Sequence, residues 1–235
     1  MKDANSNSLY AAISRLATLK YLHTYHEIYC DHSSYKGIAF KKFTCMRAPE
    51  WNEEFKQSKI YFHGTKLEYV KSIIKYGLKP AGTKAGDKDI LPQSGHIPFK
   101  SNFYGFEDFA KGVFTSPSIF YAADKTYAEE VADLNGDIWS IVLECRIRKE
   151  NMKGTVIKST VPGFEAKLNE KLSSIEYRVE IPTDESSDGI ISKTYYCINV
   201  SAIILVNTKF KSSLSDADFG IKLARDVDKE DFLFK

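Results

Sequence analysis

An α+β domain is the fold class that this 235-residue sequence predicts, and three observations predict it. Residues 139–147 alternate apolar and polar side chains with the period of two expected of a strand. Residues 67–77 carry apolar side chains at helical spacing and end in glycine. Further short strand patterns crowd the second half without regular βαβ alternation, which argues against a doubly wound sheet.

In chain order, Leu9, Ala12, Ile13, Leu16 and Leu19 line one helical face, and the pattern predicts a helix from Leu9 to about Tyr29. From Cys30 to Lys59 the text is aromatic and irregular, ending in Arg47-Ala-Pro-Glu-Trp-Asn-Glu-Glu, so a boundary is expected there: an N-terminal helical and aromatic segment, 1–57, and a main domain, 58–235. Ile60-Tyr-Phe reads as a short strand. Thr65 with Glu68 forms a capping-box pattern opening a helix whose buried face is Leu67, Val70, Ile73 and Ile74, with Gly77 as its stop. Residues 79–111 lack periodicity and read as a long loop of the kind that shapes access to a site. Gly112-Val-Phe-Thr-Ser predicts a strand and Ala122–Leu134 a helix. The alternation at 139–147 predicts a half-buried strand. Ile175, Tyr177, Val179 and Ile181 should face one side of another strand with Glu176, Arg178 and Glu180 on the other, and Tyr195–Asn199 and Ala202–Val206 add further β structure.

Lys and Arg (33) nearly balance Asp and Glu (31), so no whole-molecule field draws nucleic acid or an anionic membrane. The first residues lack the basic flank and apolar run of a signal peptide, and no run is long enough to cross a bilayer; an intracellular chain without a membrane partner, cytoplasmic or nuclear, is expected. Four scattered cysteines suit reduced thiols better than a disulfide framework. On a helix His23, His26 and Cys30 would share a face, with His32 and Cys45 nearby, but the spacing fits no common zinc module and no metal is expected. No G-x-G-x-x-G is present, and Gly77-Leu-Lys-Pro-Ala-Gly82-Thr-Lys follows a helix, not a strand, which excludes a P-loop reading.

Two residues stand out for chemistry. His63 lies where a strand gives way to a helix, followed by Gly64, whose missing side chain permits close approach to the backbone. Glu176 lies on the polar face of a strand; taken alone it would be a solvated carboxylate paired with Arg178 or a cross-strand lysine.

Taken in order, three segments resemble the ADP-ribosyltransferase superfamily in its poly(ADP-ribose) polymerase-like branch, over roughly residues 58–208. They are Ile60-Tyr-Phe-His63-Gly64-Thr65 with the helix ending in Lys75-Tyr-Gly-Leu-Lys-Pro; Gly112-Val-Phe-Thr-Ser-Pro-Ser-Ile-Phe-Tyr-Ala-Ala-Asp-Lys-Thr-Tyr127; and Ile175-Glu176-Tyr-Arg-Val. Phe114 stands where the family usually has tyrosine, and Ala122 where it commonly has a serine, so two hydroxyls are missing. Glu176 with Glu180 gives E-x-x-x-E, unlike the E-x-E of the arginine-modifying, toxin-like branch.

The resemblance implies a split β-sheet core with flanking helices, NAD as substrate, and transfer of ADP-ribose to a macromolecular acceptor, a protein in preference to nucleic acid. It implies Glu176 and His63 as catalytic residues, with His63, Gly64, Thr65, Phe114, Ala122 and Tyr127 binding NAD. One ADP-ribose per acceptor is expected of a compact chain. The missing hydroxyls at Phe114 and Ala122 keep open a module that binds NAD or ADP-ribose-like ligands without transfer, and water as the acceptor would make the chain an NAD glycohydrolase. On the transferase reading, removal of residues 1–57 is expected to leave turnover intact.

Overall fold

A computed structural model describes residues 22–29, 38–45, 58, 60–91, 109–147, 155–157, 176–181 and 198–209. The fold is mixed α+β, a multi-stranded antiparallel sheet flanked by helices. Its strands are β1 (Leu22–Tyr29), β2 (Ala39–Cys45), β3 (Ile60–Gly64), β7 (Glu130–Ala132), β8 (Ile138–Ile147) and β11 (Ile198–Asn207), in the order β1-β2-β11-β8-β3, with β7 also on β8. β11 runs along one edge of β8, while β7 and β3 share the other edge end to end. A second sheet has the order β6-β10-β9, from β6 (Val113–Thr115), β10 (Glu176–Val179) and β9 (Thr155–Ile157). The two sheets meet where Phe62 of β3 and Ser116, just past β6, exchange backbone hydrogen bonds of 2.7 and 2.8 Å.

Helix α1 (Leu67–Tyr76) lays Val70 and Ile74 on the main sheet, against Tyr61, Ile141, Leu143, Cys145, Ile203 and Leu205, with Val113 and Val179 of the second sheet in the same core. Leu67 and Ile73 pack at its margin, as the spacing predicts. Gly77 stops the helix at φ 81°, a value that glycine adopts without strain, and its N–H donates to the Ile73 carbonyl at 2.7 Å. The N-terminal cap differs from expectation. Neither Thr65 nor Glu68 closes a capping box; Lys66 occupies the cap position, and the Glu129 carboxylate accepts from the Leu67 N–H at 2.8 Å. A residue distant in sequence thus satisfies the orphan donor that a local side chain was expected to take.

Residues 22–29 are a strand, not the end of a helix, because their Thr, Tyr and Ile side chains suit a pleated sheet and β2 supplies the partner. Positions 9–21 of the expected helix lie outside the described residues. The segment read as irregular contains β2, which bonds to β11 and so joins the main sheet. The helix expected over 122–134 is instead the four-residue α2 (Ile119–Ala122), followed by turns and β7. There the hairpin prevails: Asp133 accepts from Trp139 Nε1 at 3.0 Å and from the N–H groups of Asn135 and Asp137, fixing the turn into β8. Burial opposes ionisation of Asp133, but these bonds and the charge of Lys41 outweigh it and hold the carboxyl below its usual range.

β8 is buried on both faces, not one. The polar positions Ser140 and Glu144 are inside, and Glu144 is satisfied by Lys42 Nζ at 2.5 Å and Ser201 Oγ at 2.6 Å. β11 merges the two strands read at its C-terminal side, with an irregularity between Val200 and Ala202; positions 195–197 are outside the described residues. Within the stretch read as loop, β4 (Lys84–Ala85) and β5 (Lys88–Asp89) make a small hairpin. No described helix is long and apolar enough to cross a membrane.

Candidate functional site

The site lies where the two sheets part. Beyond the Phe62–Ser116 bridge an antiparallel ladder would continue by pairing His63 with Thr115. Instead the His63 side chain enters the gap, and its Nδ1 donates to the Phe114 carbonyl at 2.7 Å. A carbonyl can only accept, so this bond fixes the proton on Nδ1 and leaves Nε2 with its lone pair while the ring is neutral. Burial holds the imidazole below the usual histidine range, opposed in part by the bond to Phe114. The neutral, accepting tautomer is therefore the resting form near pH 7.

Opposite His63, β10 carries Glu176. The expectation of a solvated carboxylate fails here: Glu176 is 2 % exposed. Its Oε2 accepts from the Tyr121 hydroxyl at 3.0 Å and lies 3.5 Å from that of Tyr127, and the two tyrosine oxygens are 2.8 Å apart. Arg178 is not its partner. The guanidinium of Arg178 donates from Nε to the Phe109 carbonyl at 2.9 Å and from Nη1 to Glu180 at 2.7 Å. It packs so closely over Gly112 that a β-carbon there would come 2.4 Å from Arg178 Cγ. The Phe109 ring in turn meets that of Phe114, with centroids 5.3 Å apart. Arg178 thus ties the strand of Glu176 to the segment presenting Phe114.

Gly64 is required by close packing. A β-carbon would sit 2.2 Å from the Ala122 carbonyl oxygen and 2.7 Å from Tyr127 Cβ, so the absent side chain admits α2 and the following turn, not only a ligand. Ser118 caps α2 by accepting from the Tyr121 N–H at 3.3 Å. Thr65 is buried and bonded through its backbone to Ile141 and Glu129.

His63, Gly64, Thr65, Phe114, Ala122, Tyr127 and Glu176 line one cavity of about 480 Å³, within the size range of small-molecule sites. The sequence reading missed Tyr121, which is buried and bonded directly to Glu176; its position beside Ala122 in the second segment was the available clue. The cavity extends along α1 past Lys66, Tyr69 and Ser72 to Lys79, and to Asp89 through Leu91, so part of the expected loop forms its outer wall. Burial lowers the pKa of Lys79, which donates to the Lys84 carbonyl at 2.8 Å. Of the zinc candidates, His23 and His26 fall in β1, while Cys30 and His32 lie outside the described residues. Cys45 is buried in the core. Compared with known proteins, the chain matches no family model and no curated sequence.

Proposed function

We propose that the cavity binds NAD and that the chain is an ADP-ribosyltransferase, transferring a single ADP-ribose to a macromolecular acceptor, a protein in preference to nucleic acid. The observation that carries this reading is a buried carboxylate, Glu176, facing the same cavity as a neutral His63 held by the Phe114 carbonyl. Two antiparallel sheets that part at His63 agree with the split core implied by the sequence resemblance.

Cleavage of the nicotinamide–ribose bond builds positive charge on the ribose, and a fixed carboxylate in a water-poor site stabilises it. Glu176 supplies that charge and can orient the attacking group. His63 accepts a ribose hydroxyl at Nε2. The Gly64 backbone takes the nicotinamide amide, beside Thr65 and Ala122, with Phe114 and Tyr127 offering apolar and aromatic surface to the ring. No metal takes part in this scheme.

The test is nicotinamide release from NAD by wild type and Glu176→Gln, with NAD-induced thermal shift of both. Release by wild type, its fall by about 100-fold or more in the variant, and a retained thermal shift are expected. The hydroxyls missing at Phe114 and Ala122 favour a binding module as second reading. Stabilisation by NAD without release in either protein would establish that one, and release without transfer to any acceptor would identify a glycohydrolase. Neither binding nor release would refute the NAD reading.

A further inference from the structure

We infer that Tyr121 and Tyr127 form a directed hydroxyl chain that positions Glu176 for reaction, with Tyr121 the positioning residue in contact with the carboxylate and Tyr127 the one that orients Tyr121. This rests on the NAD reading and adds two residues with a defined role to it. With Glu176 ionised, the carboxylate is an acceptor only. The single proton of the Tyr121 hydroxyl therefore points along the 3.0 Å contact to Glu176 Oε2. With that proton committed, the Tyr121 oxygen can only accept in its 2.8 Å contact with Tyr127, which therefore donates. At 3.5 Å the direct contact from Tyr127 to Glu176 is too long to compete. The order is Tyr127 to Tyr121 to Glu176.

The surroundings make this chain stiff. Tyr121 is 2 % exposed, its backbone lies in α2 under the Ser118 cap, and the two phenol rings pack with centroids 5.2 Å apart. Tyr127 is anchored from the other side by Gly64, which admits its Cβ only because glycine has none. A hydroxyl bonded to a carboxylate is about twice as strong a partner as one bonded to a neutral group. The polar end of an otherwise apolar aromatic pair is thus spent on one oxygen of Glu176. Such an arrangement lowers the barrier because the carboxylate need not reorganise as charge develops on the ribose. Phenylalanine would supply the same bulk and ring packing, but not the hydroxyl contacts that reach Glu176.

The test compares Tyr121→Phe and Tyr127→Phe in the 235-residue wild type and in the Glu176→Gln background, reading kcat and KM for nicotinamide release, single-turnover rates where release is slow, and melting temperature. Tyr121→Phe is expected to lower kcat by roughly tenfold with KM for NAD within about twofold of wild type. Tyr127→Phe should do the same more weakly. In the Glu176→Gln background either change should alter the residual rate by less than about twofold, because the partner of the bond is already altered. A merely structural tyrosine would instead lower the rate by the same factor in both backgrounds. Full activity of Tyr121→Phe, equal losses in both backgrounds, or a loss confined to KM would each overturn the inference. Should Tyr121→Phe fail to fold, the more accessible Tyr127 decides: its Phe variant must lose kcat only where Glu176 is intact. A wild type that neither binds nor cleaves NAD overturns this inference together with the NAD reading, whereas an active wild type with a fully active Tyr121→Phe overturns this inference alone.

Discussion

At His63 one hydrogen bond determines both a tautomer and a pH response. The Phe114 carbonyl holds the Nδ1 proton, and burial makes a second proton on the ring costly. The folded-state pKa is therefore below the ordinary value of 6.5, so the unfolded chain takes up a proton on His63 before the folded chain does. The stability contributed by the neutral ring is fully present above about pH 6.5 and is lost as pH falls from there through the lower folded value. Thermal melts of wild type and His63→Gln between about pH 7.5 and pH 5 should show it: the difference in melting temperature between them narrows as pH falls. A gap that stays constant on acidification would mean that folding leaves the ring's pKa unchanged, and one that widens that the folded protein favours the charged ring. The same neutral ring is what a ribose hydroxyl would require of Nε2, so on the proposed function binding of NAD should persist below pH 6.5 and weaken only as pH falls through the lower folded-state value.

Elements that carry their own pattern were legible, and those made by distant partners were not. β3, β6, the C-terminal half of α1 and the strand alternation in β8 follow from residues that are neighbours in sequence. Glu144 marked β8 as half-exposed because nothing local announces that Lys42 and Ser201 would meet it from two other strands. Glu176 was legible as a candidate only through the order of three segments, and the bond it accepts from Tyr121 spans the chain from α2 to β10. β4 and β5 are too short to show a period at all. The cap of α1 makes the same distinction measurable. Removal of the Glu129 carboxylate by Glu129→Ala leaves the Leu67 N–H without its protein acceptor, a loss of about 1 kcal/mol, or roughly 2–4 °C in melting temperature for a chain of this size. A melting temperature unchanged in Glu129→Ala would return the cap to Thr65 and Glu68, where the sequence pattern put it.

The whole molecule depends on its first strands more than the sequence suggested. β2 pairs with β11 from Ala202 to Val206, its Phe40 packs against Phe120 of α2 at 5.9 Å between centroids, and its Lys42 neutralises the buried Glu144. Cutting before residue 58 removes all three. β11 would then become an edge whose apolar residues, Ile204 and Val206 among them, present unpaired backbone to other molecules, and such an edge pairs with further copies. Glu144 would lose the cation that meets it in a buried position, a loss that costs several kcal/mol in comparable pairs. Because Phe120 adjoins Tyr121, the damage would also reach the tyrosines that hold Glu176. Expression of residues 58–235 alone should therefore give aggregated protein or a broad, non-cooperative melt, and on the proposed function it should lose nicotinamide release instead of keeping the turnover expected when the segment is taken as separable. In the 235-residue chain, Lys42→Met should reproduce part of the loss by lowering the melting temperature while the sheet edge stays covered. A soluble 58–235 fragment with a sharp melt would instead show that the main sheet closes without β1 and β2, and that the contacts of Phe40 and Lys42 contribute little to holding the site.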